Sequence, residues 1–485
     1  MKQLKELLLN IDHTLHGSDQ VGVSHLTCDS RTVTDGSCFF AIEGTSVDGH
    51  NYIGKAVEAG ASVIVCRHLP ENFDTTRTSA VVVKDTDKAM AEIAAAYHDH
   101  PSRKMKVVGV TGTNGKTTIA TLLYDLVRLL GHKAGLISTV VYKIDEREVT
   151  STHTTPDAIR LQAMMHEMVE CGCHYCFMEC SSHAIVQRRI YGIEFTGALF
   201  TNLTHDHLDY HKTFAEYIRA KKIFFDELPK SAFALVNADD RNGEVMLQNT
   251  AARRLTLSLR KMADYRCKIV EKNIDGMELK IGNESVWVRF LGKFNAQNLL
   301  TVYGAAIELG FDRNEVLCVL SMLHPVSGRF EFVKAEDGTT AIVDYAHTPD
   351  ALENVLRTVE EFRHTEQKLT VVCGCGGDRD RSKRPEMAEI AVKYTDLAVF
   401  TSDNPRSEDP AEILREMEEG VPAGSRYIKA VDRDEAIKMA VMLSQPGDII
   451  IIAGKGHENY QIIGTEKLPF NDKECVSKWF STFRR

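Results

Sequence analysis

Apolar runs separated by polar turns mark the first part of the chain. Three of these runs have the length and composition of buried strands: Cys38–Ile42, Ala61–Cys66 and Ala80–Val83. A helix is predicted over Asp87–His98, and the polar run Asp99–Lys104 that follows is typical of a linker. We therefore expect a first domain over residues 1–103.

The second part of the chain begins with an apolar strand, Val107–Val110, that runs into a glycine-containing loop. Apolar residues then recur at three- and four-residue spacing, which predicts a helix: Ile119, Leu122, Leu123, Leu126, Val127 and Leu130. Further strands are predicted at His174–Met178, Ala198–Phe200 and Ala232–Val236. Strands that alternate with helices indicate a mostly parallel sheet covered by helices. This second domain is expected over residues 104–332.

Strand and helix patterns alternate again after Gly328–Glu331. The predicted strands are Thr340–Val343, Leu369–Cys373, Leu397–Phe400 and Asp448–Ala453. Each of them ends in a polar loop, and ligands of open α/β sheets bind beyond the carboxyl ends of the strands. A third domain is therefore expected over residues 333–485, with its candidate site at that edge. The fold class is α/β, with three domains.

Composition narrows the class of protein. Hydrophobic residues make up 43% and charged residues 26% of the 485 residues, as in ordinary soluble proteins. The net charge of -10 argues against a general nucleic-acid binder, whose surface would be basic. No apolar stretch reaches the ~20 residues of a membrane helix, and Met1–Asp12 is unlike a secretory signal. We expect no membrane insertion and a cytoplasmic location. The 12 dispersed cysteines favour free thiols in a reducing compartment, with a zinc site as the alternative.

The loop Gly112–Thr118 is the strongest chemical signal. Its glycines allow backbone N–H groups to approach phosphate oxygens, and the helix that follows adds its positive N-terminal end. Lys116 is expected to contact the terminal phosphates, and Thr117 carries the hydroxyl expected on magnesium. The standard pattern has glycine five residues before Gly115, where this chain has Val110. The alternative is a plain glycine turn, but strand, loop and amphipathic helix in this order favour phosphate binding.

A second group of candidates combines Glu179 with the segment His205–His211. Glu179 follows a predicted strand, so its carboxylate could reach a magnesium ion near the loop. The segment contains three histidines and two aspartates within seven residues. Histidines suit zinc, whereas magnesium prefers oxygen ligands and keeps several waters. Taken alone, the segment leaves a polar loop, a zinc site and a magnesium site open.

The third group lies in the polar loops of the last domain. Four cations and two acids fall between Cys375 and Arg384, and such a charge run usually forms a solvated surface loop. In Asp403–Arg406, Arg406 offers a planar fork suited to a carboxylate, and Asn404 can donate or accept. Glu458 could hold an ammonium group. An arginine and a glutamate at one rim would suit an amino acid.

Taken together, these residues resemble the Mur ligase family over essentially the whole chain. The segments that carry the resemblance are Asp29–Arg31, Thr111–Thr118, Thr154–Asp157, Glu179–His183, Thr201–Leu203, Asp206–His211, Gly328–Glu331, Asp344–Asp350, Asp403–Arg406 and Gly454–Glu458. The shortened glycine loop is this family's own version. His153 and Cys180 are less usual choices that remove no needed group.

The resemblance implies an N-terminal UDP-binding domain, a central P-loop ATPase-like domain and a C-terminal Rossmann-like domain that binds the amino acid. It implies an ATP site made by Gly112, Thr113, Asn114, Gly115, Lys116, Thr117, Thr118, Asn298 for adenine and Asp344 for ribose. It implies a UDP-substrate site made by Ser30, Thr45, Thr154, Thr155, Ser181, Gln187 and Arg189.

The same resemblance implies the chemistry. Magnesium would be held by Glu179, His207 and a carbamylated Lys221, with Thr117 on another magnesium ion. The neighbouring Lys222 leaves the lysine uncertain by one position. The catalytic residues would be Lys116, Lys221, His207 and Arg329. ATP would convert a substrate carboxylate into an acyl phosphate, which the incoming amine attacks.

The loops of the last domain most resemble those of members that add meso-diaminopimelate to UDP-N-acetylmuramoyl-L-alanyl-D-glutamate. The residues that would hold diaminopimelate are Arg379, Asp403, Asn404, Pro405, Arg406, Gly454 and Glu458. Lysine-adding or other amino-acid-adding members are the nearest alternative, and a noncatalytic nucleotide switch is a distant one. Small-molecule substrates are the expected partners, and the expected state is a monomer.

Overall fold

A computed structural model describes residues 1–44, 47–151, 153–204, 206, 208–273 and 275–484. For residues 208 and 209 it describes the backbone alone. This part of the chain forms sheets of five, eleven and six strands with helices on their faces, and two short two-stranded ribbons. The predicted α/β organisation is confirmed. None of the described helices is both long and apolar enough to cross a membrane.

The first sheet is small and lies between two apolar clusters. Its strands are β2 Thr14–His16, β4 His25–Thr27, β5 Ser37–Phe40, β6 Ala61–Cys66 and β7 Ser79–Val82, and the strands β1 Lys2–Gln3 and β3 Gly22–Val23 form a separate antiparallel ribbon. The helices are α1 Leu4–Leu7, α2 Ile53–Glu58 and α3 Thr86–Tyr97. Strands β4 to β7 are parallel in the order β2-β7-β6-β5-β4, with β2 antiparallel at the edge. The three predicted strands and the predicted helix are all present.

The second sheet spans eleven strands. These are β8 Lys106–Thr111, β9 Ala134–Ile137, β10 Val141–Ile144, β11 Arg147–Thr150, β12 Tyr175–Glu179, β13 Gly197–Phe200, β14 Phe233–Asn237, β15 Arg253–Ser258, β16 Tyr265–Asn273, β17 Gly276–Ile281 and β18 Glu284–Val288. The helices are α4 Lys116–Leu129, α5 Ala158–Glu170, α6 Ser182–Val186, α7 Leu208–His211, α8 Phe214–Asp226, α9 Gly243–Leu247, α10 Lys293–Glu308 and α11 Arg313–Met322.

The centre of this sheet is parallel and both of its edges are antiparallel. The order is β11-β10-β9-β12-β8-β13-β14-β15-β16-β17-β18, and pairing is parallel from β9 to β16. Helices α4, α10 and α11 bury one face, and α5, α6 and α8 bury the other. The antiparallel edge β16 to β18 was not predicted, because its strands alternate exposed and buried residues and lack a continuous apolar run.

The last sheet repeats the parallel pattern. Its strands are β19 Glu331–Lys334, β20 Thr340–Asp344, β21 Leu369–Cys373, β22 Leu397–Thr401, β23 Tyr427–Ala430 and β24 Ile449–Ala453, followed by the hairpin β25 Tyr460–Ile463 and β26 Glu466–Pro469. The helices are α12 Pro349–Glu360, α13 Lys383–Tyr394, α14 Pro410–Glu418, α15 Arg433–Leu443 and α16 Asp472–Phe483. The order is β19-β20-β24-β21-β22-β23, with only β19 antiparallel among these. Strand β19 crosses the predicted boundary after residue 332, and both domain boundaries stay predictions.

Candidate functional site

A cavity of about 730 Å³ opens between the central sheet and the last sheet. One wall contains the glycine loop and helix α10, and the other contains the segment after β20. Asn114, Asn298, Arg329, Asp344 and His347 all line it. The carboxyl ends of parallel strands in two sheets therefore meet at one cleft, as the pattern of polar loops predicts.

The glycine loop is held against strand β13 and the residues after it. A Cβ atom on Gly112, whose φ is +148°, would lie 1.9 Å from the Thr201 hydroxyl oxygen, so no other residue fits there. The backbone N–H of Thr113 donates to the carbonyl of Asn202 at 2.9 Å, and that of Asn114 donates to the Asn202 side chain at 2.9 Å. Helix α4 starts directly after Gly115, so its first N–H groups, from Lys116 to Thr118, are available to an anion.

Two lysines lie under this loop. The ammonium of Lys116 donates to the carbonyls of Gly112 at 3.0 Å and Thr113 at 2.7 Å. Lys221, on α8, is 1% exposed and donates to the same Gly112 carbonyl at 2.9 Å. Burial lowers the pKa of both groups, and repulsion from Lys116 lowers that of Lys221 further. Lys222 instead pairs with Asp226 on the outer side of the helix. The structure therefore separates the two neighbouring lysines.

Glu179 ends strand β12 close to these lysines. Its side chain is buried, and Oε1 accepts from the backbone N–H of Thr139 at 2.7 Å. The other oxygen, Oε2, is buried without a hydrogen-bond partner among the described residues. A buried carboxylate oxygen of this kind is costly to leave unsatisfied, which points to a ligand. His207, predicted to share a metal with Glu179, lies outside the described residues.

Arg329, near the end of the central domain, lines the same cavity. Its guanidinium donates to the Thr117 hydroxyl at 3.2 Å and lies 4.4 Å from the ring centre of Tyr345. The Asp344 carboxylate is buried, accepts the backbone N–H groups of Phe330 at 2.7 Å and Ala346 at 2.8 Å, and has a pKa raised by burial. Asn298 lies across the glycine loop, its Oδ1 2.7 Å from where a Cβ of Gly115 would be.

Most of the predicted UDP-substrate residues form one group beside Glu179. The Thr155 hydroxyl donates to the Glu179 carbonyl at 2.8 Å and accepts from the Ser181 backbone at 3.3 Å. Arg189 donates to the Thr155 carbonyl at 2.8 Å. Two further members are anchored nearby, since Thr139 donates to the Thr154 hydroxyl at 3.1 Å and Gln187 donates to the Tyr210 hydroxyl at 3.4 Å.

The two predicted residues of the first domain are placed differently. Ser30 begins a short 3-10 turn after β4, whose first N–H groups are capped by Asp29, and the side chain is half-buried. The structure gives it no hydrogen bond to the central-domain group among the described residues. Thr45 lies outside the described residues.

Four predicted amino-acid-binding residues meet at the carboxyl ends of β22 and β24. The Asn404 amide donates to Glu458 Oε2 at 2.8 Å, and the fully buried Lys455 donates to the same oxygen at 2.8 Å. Although burial acts to raise it, these contacts hold the pKa of Glu458 below its usual value. Gly454 has a φ of +116°, and a Cβ there would lie 2.6 Å from Asp403 Oδ2. Burial raises the pKa of Asp403.

Two arginine side chains approach Gly376. A Cβ on Gly376 would lie 3.0 Å from Nη1 of Arg406 and 3.7 Å from Cγ of Arg379. Arg406 donates to the carbonyls of Gly377 at 2.8 Å and Asn404 at 3.4 Å. The carbonyl oxygen of Pro405 packs closely against Gly377. In the described part of the chain neither guanidinium forms an ion pair with a carboxylate. Two such cations beside Glu458 suit an amino acid that carries an extra carboxylate.

Sequence reasoning missed several residues of this cleft. The charge run Cys375–Arg384 is solvated only in part, because the Arg384 side chain is 1% exposed and pairs with Glu408 and Glu416. Lys383 reaches Asp206 in the central domain at 2.5 Å. Asp350 accepts from the Asn114 amide at 3.0 Å, again between domains. The available signal was the position of Asp350 and Lys383 at the starts of helices that follow sheet-edge loops.

Comparison with protein families agrees with the three sheets. Residues 22–98 match the model of the Mur ligase family, catalytic domain, and residues 110–306 match the Mur ligase middle domain. Residues 328–456 match the Mur ligase, glutamate ligase domain.

Individual relatives extend over nearly the whole chain. The UDP-N-acetylmuramoyl-L-alanyl-D-glutamate–2,6-diaminopimelate ligase of Parabacteroides distasonis is 53% identical and covers 96% of each chain. The ligase of the same name from Cytophaga hutchinsonii is 50% identical and covers 99% of each. A solved structure of a UDP-N-acetylmuramoyl-L-alanyl-D-glutamate–2,6-diaminopimelate ligase is 30% identical, covers 99% of each chain and gives a TM-score of 0.70. This chain therefore belongs to the Mur ligase family.

Proposed function

We propose that the chain is an ATP-dependent ligase that joins meso-diaminopimelate to UDP-N-acetylmuramoyl-L-alanyl-D-glutamate through an amide bond. The names of relatives about half identical over nearly the full length support this activity, which belongs to peptidoglycan precursor synthesis. The observation that carries the choice of amino acid is the pair of arginines that approach Gly376, of which Arg406 also donates to the carbonyl of Asn404, the partner of Glu458.

The two arginines favour diaminopimelate over lysine. Diaminopimelate has a carboxylate at its far end, and a guanidinium can bind it through two parallel hydrogen bonds. Lysine lacks that carboxylate, so it would leave both cations without a partner. Glu458 and Asn404 would hold the ammonium and carboxylate groups near Asp403, Pro405 and Gly454. A noncatalytic switch would leave this pocket without a role.

The large cavity suits ATP. Lys116 and the N–H groups of Gly115, Thr117 and Thr118 would surround the phosphates, while Asn298 would bind adenine and Asp344 would bind ribose. Asp344 already accepts two backbone N–H groups, which fix the orientation of its carboxylate. Arg329 lies on the opposite side of Thr117 and would neutralise charge on the transferred phosphoryl group.

The residues near Glu179 fit a magnesium ion. Magnesium prefers oxygen ligands, and Glu179 Oε2 is a buried carboxylate oxygen without a partner among the described residues. His207 and an oxygen from Lys221 would complete the protein ligands of this ion, and the Thr117 hydroxyl would bind the other one. Once bound, magnesium would reduce the negative charge of the phosphates during transfer.

Lys221 can supply that oxygen only after carbamylation. Its amine is buried under the loop and its pKa is lowered well below the usual value, so the neutral form is favoured. A neutral amine adds to carbon dioxide, forms the N–C bond and releases one proton, which leaves a carbamate anion. An anion beside Lys116 would also compensate the charge of that ammonium.

The reaction then follows from these positions. The D-glutamyl carboxylate, held near Thr154, Thr155, Ser181, Gln187 and Arg189, attacks the terminal phosphorus of ATP, and ADP leaves. Lys116 and Arg329 stabilise the charge that develops on the phosphoryl oxygens. The amine then attacks the acyl phosphate carbonyl and inorganic phosphate leaves. A closed cleft excludes water, which would otherwise hydrolyse the acyl phosphate.

Ser30 and Thr45 would bind the uridine end of the substrate. We further propose that the chain acts as a monomer, because the parts of the site come from the domains of one chain. ATP and a UDP-linked sugar are metabolites of the cytoplasm, which supports action there.

The experiment measures amide formation with a panel of amino acids, including meso-diaminopimelate and lysine. The wild-type chain is compared with Arg406→Ala, with Arg426→Ala as the matched control because Arg426 is exposed and distant from the loops of the site. The kcat/KM for diaminopimelate should fall about 10- to 100-fold in Arg406→Ala, since a charge-assisted hydrogen bond contributes roughly 1.5–3 kcal/mol. Preference for lysine in the wild-type chain, or unchanged preference in Arg406→Ala, would contradict the assignment.

A further inference from the structure

His347 occupies a fixed position between the nucleotide cavity and the amino-acid loops. It follows strand β20 and directly precedes Thr348, which caps helix α12 through the N–H of Ala351 at 3.3 Å. On the other side, the Ala346 N–H is bound by Asp344 at 2.8 Å. The ring of His347 lines the cavity and is accessible from it. Its location is therefore set by both flanking residues.

The hydrogen bond of Nδ1 selects one tautomer of this ring. Nδ1 lies 2.8 Å from the carbonyl oxygen of Tyr345, and a carbonyl only accepts, so Nδ1 must carry the hydrogen. The lone pair of the neutral ring is then on Nε2. No described residue donates a hydrogen bond to Nε2. The Tyr345 ring, 4.6 Å away and nearly perpendicular, fixes the plane of the imidazole.

The charges around His347 come from several elements. Asp206 lies in the central domain, Lys383 begins α13, Arg329 lies on the far side of Tyr345, and His457 follows β24. Protein packs closely behind the ring although its edge is open to the cleft, and this desolvation lowers the pKa of His347. Asp206 acts to raise the pKa, and Lys383 and Arg329 act to lower it. The ring is thus neutral at physiological pH and able to accept a proton.

The second half-reaction needs such an acceptor. An amino acid arrives as an ammonium ion, which has no lone pair with which to attack a carbonyl carbon. Two other carboxylates in the described cleft are engaged: Glu458 with Asn404 and Lys455, and Asp206 with Lys383. Burial lowers the pKa of His457 to about 3, and its Nδ1 is enclosed, so it is a poor proton acceptor.

We propose that Nε2 of His347 accepts the proton that the incoming ammonium must lose before it attacks the acyl phosphate; this role rests on the proposed ligase activity. The N–H bond breaks and its electron pair stays on nitrogen, which forms the C–N bond as the C–O bond to phosphate breaks. The nitrogen loses its second proton to the departing phosphate, which leaves as hydrogen phosphate, and the amide keeps the third hydrogen. The imidazolium loses its proton to bulk water when the products leave. Atoms and charge balance without a further reactant.

The test separates proton removal from acyl phosphate formation. His347→Asn retains a donor for the Tyr345 carbonyl but removes the lone pair of Nε2, and His347→Ala removes both. His364→Gln is the matched control, because His364 is exposed beyond the end of α12. Each full-length variant is given ATP, UDP-N-acetylmuramoyl-L-alanyl-D-glutamate and either meso-diaminopimelate or hydroxylamine. Hydroxylamine is uncharged at neutral pH, so it attacks an acyl phosphate without a proton acceptor.

With His347→Asn, amide formation with diaminopimelate should fall by about 10²-fold or more, the usual range for a lost general base. Hydroxamate formation should stay within about threefold of wild type, because acyl phosphate formation is intact. The variant rate with diaminopimelate should also rise roughly tenfold per pH unit, following the free amine, whereas the wild-type rate should not.

Equal losses with both nucleophiles would overturn the proposal, because His347 would then act in phosphoryl transfer or folding. Unchanged rates with both would overturn it as well. If the wild-type chain itself forms neither product, the proposed ligase activity fails, and the role of His347 falls with it. A wild-type chain that forms both products leaves the variants to decide on His347 alone.

Discussion

The ammonium of Lys383 lies 2.5 Å from the carboxylate of Asp206 and links the last domain to the central domain. Their side chains are only 14% and 8% exposed. Asp206 lies directly before His207, a proposed magnesium ligand, and Lys383 begins the helix after the loop that contains Arg379. A second link, from Asn114 to Asp350 at 3.0 Å, joins the glycine loop to helix α12. The two contacts join the two domains beside the cleft.

Loss of the Lys383 ammonium should therefore slow turnover. Lys383→Ala removes the cation that pairs with a nearly buried carboxylate, and breaking a buried pair in this way typically costs about 3–5 kcal/mol. Part of that cost destabilises the arrangement in which the two domains meet, so kcat for phosphate release should fall at least ~10-fold. The free energy of unfolding should change little. Lys393→Ala, an exposed position on the same helix, is the control. Purely additive effects of Lys383→Ala and Asp206→Asn would contradict the link.

The two adjacent lysines of α8 should behave differently. Lys221→Ala removes the proposed carbamate and should abolish activity, and millimolar formate or acetate should restore part of it by supplying a carboxylate oxygen. Lys222→Ala removes only the surface pair with Asp226, which contributes at most about 1 kcal/mol, and should stay within a few-fold of wild type. An inactive Lys222→Ala, or a Lys221→Ala variant that carboxylates do not restore, would reverse the assignment.

The parallel strands and their loops could be predicted because a buried strand is a continuous apolar run. Val107–Val110 and Leu369–Cys373 have that pattern, and each precedes a polar loop that the structure brings to the cleft. Contacts between domains could not be predicted, because the partners are far apart in sequence: 177 residues separate Lys383 from Asp206 and 236 separate Asn114 from Asp350.

Buried cations were also invisible to the sequence. A charge run usually predicts a solvated surface, yet Arg384 is buried because Glu408 and Glu416 bind it from the neighbouring turn and helix. Arg433 is fully buried for the same reason, paired with Asp472. Which acid compensates a buried arginine depends on the packing of helices, and no local pattern contains that information.

Arg433 gives a stability prediction. Its guanidinium donates two hydrogen bonds to Asp472, at 2.7 and 2.8 Å, and both side chains are completely buried. Arg433→Ala should lower the free energy of unfolding by roughly 3–5 kcal/mol, because it leaves the Asp472 charge buried without a partner. Arg415→Ala breaks an exposed pair with Glu412 and should cost less than about 1 kcal/mol. Urea unfolding curves measure both, and equal costs would contradict this account.

The Arg384 network also predicts how stability depends on pH. Hydrogen bonds from Arg384 lower the pKa of Glu408 from 4.5 to about 2 in the folded chain. A depressed carboxyl pKa stabilises the fold above the unfolded value, so this contribution is complete above pH 4.5 and lost as the pH falls toward 2. Glu408→Gln should be less stable than wild type near neutral pH. As the pH falls, Glu408 of the wild-type chain binds a proton and this contribution is lost, whereas the variant has no carboxylate to protonate at this position. The difference in the free energy of unfolding between the two should therefore shrink on acidification.

Urea unfolding at about pH 7 and about pH 3 measures that difference, with Glu412→Gln as the control. Glu412 is 60% exposed and pairs with Arg415 on the surface. The free energy of unfolding of its variant should therefore differ from that of wild type by the same small amount at both pH values. If the difference in free energy of unfolding between Glu408→Gln and wild type is also the same at both pH values, the ionised Glu408 carboxylate contributes nothing to the stability of the fold. The buried Arg384 would then be held by Glu416 and the carbonyl of Gly376.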